Sequence, residues 1–319
     1  MRIHIPNSAF LGNIDQFLRS FDNTQQDELQ VTAHKEWVSV HPVVISMVAA
    51  LGLSVPKENI VCEPIEAKSK HYLQRMGLFD SLGITSSTDM IEHEPAGRFI
   101  PVTRIQNSEQ LTHFITDIVP LLHLDPMQAE PLRFVISELT RNVIEHSQSS
   151  FGAVVCAQYY PKANMVRIGI VDRGVGIKES ISQSYAAEND YHALRLALMP
   201  GITGTTRKLG GTEFNAGAGL FFIKSIAKVS RDFFMIYSGD TMYKLLKSNN
   251  KKIKLTADPF KDNHSINSDF PYWQGTAVGV DISLDSNDEF SELLDLIKST
   301  ISEAIQERKR EMIKKARFI

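Results

Sequence analysis

The first third of the chain switches between two hydrophobic periods. Arg2 to Ile5, Leu29 to His34 and Asn59 to Glu63 read as short strands, while Ser8 to Phe21 and Pro42 to Leu51 space their apolar residues as helices do. That order predicts a small βαβαβ module over residues 1–96, ending in the polar stretch Ser86 to Gly97. After Gly97 the texture changes, with a strand at Phe99 to Ile105 and an apolar-periodic segment from Ser108 to Leu122. Asp125-Pro126-Met127-Gln128 then supplies an N-cap, a proline at the first helical position and a glutamine at the third, so a helix should start there and run to about Ser147. On it Leu132, Val135, Ile136, Leu139 and Val143 share one arc, and that face is expected to be buried. Glu138, Asn142 and His146, spaced i, i+4 and i+8, form a polar stripe along its margin.

Two strands follow, Ala153 to Tyr160 and Met165 to Val171, joined by the turn Pro161 to Asn164. The second runs directly into Asp172-Arg173-Gly174-Val175-Gly176. A long aperiodic segment ends in the glycine-dense stretch Gly210 to Gly219, and a helix begins at Leu220. Phe233 to Ser238, Met242 to Leu246 and Thr276 to Leu284 are further strands, with the polar insert Lys247 to Asp269 read as a loop. Residues 286–319 close the chain as an amphipathic helix with a basic end. The fold class is therefore α/β: the N-terminal βαβαβ module, a second α/β domain after it and the C-terminal helix.

Composition narrows the possibilities without naming a chemistry. With 43% hydrophobic and 22% charged residues, the 319-residue chain has ordinary globular composition and room for two compact units. A formal charge of −3 gives no global field for nucleic acid, which is not expected as a partner. Cys62 and Cys156 lie far apart with no metal-ligand spacing, which argues against a disulfide framework or a zinc site and favours a cytoplasmic location. The uncharged run Trp37 to Pro56 has the length of a membrane span. It contains Ser39, His41, Ser46 and Gly52 and splits at Pro42, so a buried strand-turn-helix is expected and no membrane span. The N-terminus lacks the pattern of a secretory signal.

The order of motifs resembles the GHKL ATP-binding superfamily, which groups gyrase, a heat-shock chaperone, sensor histidine kinases and mismatch-repair ATPases. Glu138-Leu139-Thr140-Arg141-Asn142 is similar to its N box, and Asp172-Arg173-Gly174-Val175-Gly176-Ile177 to its DxGxG box. Asn215-Ala216-Gly217-Ala218-Gly219-Leu220 is similar to the second glycine box, and Gly275-Thr276 to the last. The resemblance implies a Bergerat-type sandwich over residues 97–285 that binds ATP with Mg2+. It implies Glu138 as the base and Asn142 as the magnesium ligand, a role that suits an amide oxygen facing a hard cation. Asp172 would accept the exocyclic amine of adenine, and Gly174 and Gly176 would permit close backbone approach, with Ile177 and Thr276 beside them. Gly217, Gly219 and Leu220 would turn a helix N-terminus toward the phosphates. His146 ends the stripe, either on phosphate or as a helix-terminal histidine favoured by the dipole. Arg207 and Lys208 fall in the expected lid, either on the γ-phosphate or as solvated loop charges. A dinucleotide fold is disfavoured because Gly217-Ala218-Gly219 lacks a third glycine and follows no strand, and no GxxxxGK[ST] occurs.

These expectations describe a Mg·ATP-binding ATPase acting as a nucleotide-dependent regulatory switch. Two alternatives stay open: a protein serine/threonine kinase, since Ile136 to Asn142 resembles the compact anti-sigma serine kinases, and a binding module that holds ATP without turnover. A sensor kinase that phosphorylates its own histidine is not expected, because His93-Glu94-Pro95 is a poor helical acceptor. The element order of residues 1–96 is similar to that of STAS domains, which implies a protein partner there. The C-terminal helix, its basic end interrupted by Glu307 and Glu311, reads as solvated or as a homodimer contact.

Overall fold

Ala153, Val155 and Ala157 belong to one hydrophobic cluster, and Val154 and Cys156 to another. A strand whose alternate residues enter two cores is covered on both faces, which is why it reads as a continuous apolar run. The computed structural model of the protein describes residues 1–66, 68–84, 98–202, 219–248, 254–284 and 290–316.

The first elements are β1 (Arg2–Ile5), β2 (Ser8–Ala9), α1 (Asp15–Arg19), β3 (Leu29–Ala33), β4 (Ser39–Val40), α2 (Pro42–Leu53), β5 (Ile60–Cys62), α3 (Lys70–Arg75) and α4 (Leu78–Leu82). There follow β6 (Phe99–Ile105), α5 (Ser108–His113), α6 (Pro126–Asn142), β7 (Ala153–Tyr160), β8 (Met165–Val171), α7 (Gly176–Ser182) and α8 (Asp190–Ala197). The last are α9 (Gly219–Val229), β9 (Phe234–Gly239), β10 (Thr241–Leu245), β11 (His264–Asn267), β12 (Trp273–Ser283) and α10 (Phe290–Ala316). Strands β1, β3 and β5 form a parallel sheet in that order, and β2 pairs with β4. The large sheet has the order β11-β10-β9-β12-β8-β7-β6, every neighbour antiparallel. The protein is thus α/β, with parallel and antiparallel sheets.

Helices α6, α9 and α10 pack together, with α6 and α9 also on the large sheet, and their apolar faces join the first core. The other face meets α2, whose residues from Pro42 to Gly52 are all buried. A helix apolar on every side must be enclosed, and here the enclosure is protein on both flanks. No helix among the described residues is long and apolar enough to cross a membrane. Gly169 and Gly279 pair across β8 and β12; a Cβ on Gly169 would lie 2.3 Å from the Val43 backbone of α2, and one on Gly279 2.7 Å from Leu11, which precedes α1. His41 caps α2 by accepting from the Val43 N–H at 3.0 Å through Nδ1, so its Nε2–H donates to Asp281 at 3.1 Å. Burial holds this imidazole below its usual range, against the pull of Asp281. Arg167, 3.5 Å from the same carboxylate, lies between the rings of Phe10 and Tyr160.

Three expectations change. Ser8 to Phe21 is not one helix: it divides into β2, a 3-10 turn at Leu11–Asn13 and α1. Asn13 accepts from the Phe10 N–H at 2.8 Å and donates to the Ser8 carbonyl, bonds that compete with helix continuation. The insert after β10 is not all loop, since β11 pairs with β10 and Phe260 and His264 stack beside Tyr243. The aperiodic segment begins with two helices, α7 and α8, the second capped by Asn189, which accepts from the His192 N–H at 2.8 Å.

Candidate functional site

Asp125 accepts from the Met127 N–H at 2.9 Å with Pro126 behind it, and α6 starts where the capping signal places it. Its apolar face buries Leu132, Val135, Ile136 and Leu139, which fixes Glu138 and Asn142 at the margin. After Asn142 the helix widens into a π turn over Val143–Ser147 and stops at Gln148, whose φ is +55°. Such turns recur at functional sites because they re-aim side chains. Glu138, Asn142 and His146 all line one cavity of about 340 Å3. Ser147 secures its corner: the hydroxyl donates back to the Val143 carbonyl at 2.7 Å, and its own carbonyl accepts from the Val175 N–H at 2.7 Å.

Asp172 follows β8 and is buried in the cavity wall. Burial pushes its carboxyl up to about 7, a shift that backbone N–H groups of Gly174 and Thr276 and the charge of Arg173 only partly oppose. Its Oδ1 accepts from the Gly174 N–H at 2.8 Å, closing a tight turn. Gly176 has a φ of +81°, and Gly275, at a register shift in β12, has one of +99°. Ser238 of β9 ties these two turns together, donating to the Gly275 carbonyl at 2.7 Å and accepting from the Ile177 N–H at 3.0 Å. Gly176, Ile177 and Thr276 therefore reach the same cavity as Asp172.

The opposite wall comes from α9, whose first residues Gly219 and Leu220 also line the space. A Cβ on Gly219 would lie 3.0 Å from Glu138 Oε2 and 3.6 Å from Asn142 Nδ2, so this helix N-terminus stands close beside both groups. The helix is anchored behind by Lys224, fully buried, whose ammonium donates to Asp262 at 2.5 Å, and by Lys228 on the same carboxylate. Burial raises the Glu138 carboxyl above its ordinary range, and Arg141, whose Nη1 donates to Oε1 at 2.9 Å, pulls the other way. His146 Nε2 stands 3.8 Å from Glu145.

Gly174 departs from its expected role. It does not line the cavity; a Cβ there would stand 1.9 Å from the Ser147 carbonyl oxygen, so the close approach it permits is by the protein's own backbone. Arg207, Lys208 and Gly217 lie outside the described residues. Sequence reasoning passed over Arg141, Ser147 and Ser238. Arg141, three residues from Glu138, carried the usual helix-pair signal. Ser147 and Ser238 carried none, because their partners are distant in sequence. Compared with known proteins, the chain matches no family model and no curated protein.

Proposed function

We propose that the cavity binds Mg·ATP and that the protein is an ATP-hydrolysing regulatory switch, as its resemblance to the GHKL superfamily implies. The observation that carries this reading is convergence. Glu138 and Asn142 from α6, Asp172 and Gly176 after β8, Gly219 and Leu220 of α9 and Thr276 of β12 come from four separate stretches and line one space. Its volume of about 340 Å3 lies within the range of small-ligand pockets.

Each group has a task. Ionised Asp172 accepts the exocyclic amine of adenine and disfavours guanine, which presents a carbonyl there. The N-terminal turn of α9 turns unpaired N–H groups toward phosphate. Asn142, the sole amide side chain among the described lining residues, offers oxygen to magnesium. The metal, when bound, supplies charge neutralisation at the phosphates. Glu138 accepts the proton of the attacking water.

The switch part of the reading rests on Arg173, next to Asp172. Its guanidinium lies 4.9 Å from the Trp273 ring centroid and 3.6 Å from the Met1 sulfur, and Phe21 packs on the same Trp273. The loop that meets adenine is thus in contact with the first residues of the chain. Incubation with γ-labelled ATP, alone and with cell extract, tests the reaction. Released phosphate supports the ATPase, label on another protein favours the kinase, and neither outcome leaves only a binding module.

A further inference from the structure

Among the described residues that line the cavity, Arg141 is the sole lysine or arginine. It bonds Oε1 of Glu138 at 2.9 Å, while Oε2 of the same carboxylate faces Gly219 at the start of α9. Cation, carboxylate and helix N-terminus therefore stand in a row. A guanidinium has five N–H donors and the bond to Oε1 uses one. Its side chain is 53% exposed, so it is free to change rotamer, and an exposed pair three residues apart contributes little to a helix. One divalent ion does not neutralise a triphosphate, and phosphoryl transfer further gathers charge on the equatorial oxygens.

We propose that Arg141 is a phosphate-binding catalytic residue that exchanges partners. Without nucleotide it holds Glu138; with ATP bound its guanidinium moves to the γ-phosphoryl oxygens and frees the carboxylate. Glu138 then takes the proton of the attacking water as that oxygen bonds to the γ-phosphorus. The bond from the γ-phosphorus to the β–γ bridging oxygen breaks, its electron pair leaves with ADP, and the proton passes from Glu138 to solvent. This inference rests on the ATP reading of the cavity and adds the residue that distinguishes ATP from ADP.

Calorimetric titration of the full chain with Mg·ATP and with Mg·ADP tests it, comparing wild type with Arg141→Ala and Arg141→Lys. Arg141→Ala should bind ADP within about twofold of wild type and ATP about tenfold or more weakly, with Arg141→Lys between them. In the nucleotide-free protein, carbon-13 NMR should show the Glu138 carboxyl titrating at higher pH in Arg141→Ala, since a cation that favours its ionised form is gone. An unchanged ATP-to-ADP affinity ratio overturns the proposal. Wild type that binds neither nucleotide overturns the ATP reading itself, and this inference with it; wild type that binds ADP while the ratio is insensitive to Arg141 overturns the inference alone.

Discussion

Gly174 and Ser147 touch backbone to backbone: a β-carbon on the glycine would lie 1.9 Å from the serine carbonyl oxygen, which accepts the Val175 N–H at 2.7 Å. Gly174→Ala must push the loop off the end of α6. Overpacking of this kind costs about 1–3 kcal/mol, and urea unfolding should show the loss. An unchanged midpoint would mean that the two segments are not held together.

On the proposed ATP reading, Asp172 should make adenine recognition depend on pH. Its carboxyl ionises at about 7 in the folded protein, and the ionised form is the stronger acceptor of an amine N–H. Binding of adenosine, uncharged over the range, should be constant above about pH 8, weaken as pH falls through about 7 and level off about tenfold lower once the carboxyl is protonated. Asp172→Asn should bind about tenfold more weakly than wild type at high pH and show no such slope. The sign for stability is the reverse. The folded carboxyl keeps its proton to higher pH than the unfolded one, so this group's contribution is complete below about pH 4 and is lost as pH rises through about 7. Calorimetry across this range decides both.

Glu138 and Asn142, one turn apart, should fail differently. A base acts in the transition state, so Glu138→Gln should keep ATP affinity and lower phosphate release by roughly 100-fold or more. Asn142→Ala should remove the magnesium dependence of ATP binding while the unfolding transition stays in place, since α6 is held by other residues. Full turnover in the first variant would sink the base assignment, and wild-type magnesium dependence in the second the metal assignment.

Gly169 decides whether α2 can reach the large sheet. Its missing β-carbon is the space occupied by the Val43 backbone, 2.3 Å from where the carbon would be. Gly169→Ala should destabilise by about 1–3 kcal/mol, read as a lower urea midpoint, even though it lies outside the cavity. Wild-type stability would contradict this packing.

The sequence alone determined the strands β6 to β9 and the start of α6, because short apolar runs bounded by turn residues, and capping residues, act over a few neighbouring positions. It also brought forward Glu138, Asn142, Asp172 and Gly219 as one candidate set, since each stands in a motif read locally. Tertiary structure decided what local pattern cannot encode. Pro42 to Leu53 reads alike for any enclosed helix, and only its seat between the large sheet and α4 fixed its surroundings. Gly174 looked like a ligand-facing glycine until the fold placed Ser147 against it, while Arg141, read only within a motif, emerged as the partner of Glu138. Ser238 joins the turns at Gly176 and Gly275 across a sheet in which β12 lies between β8 and β9. Such contacts depend on strand order, a property of the whole chain's packing that no window of neighbouring residues contains.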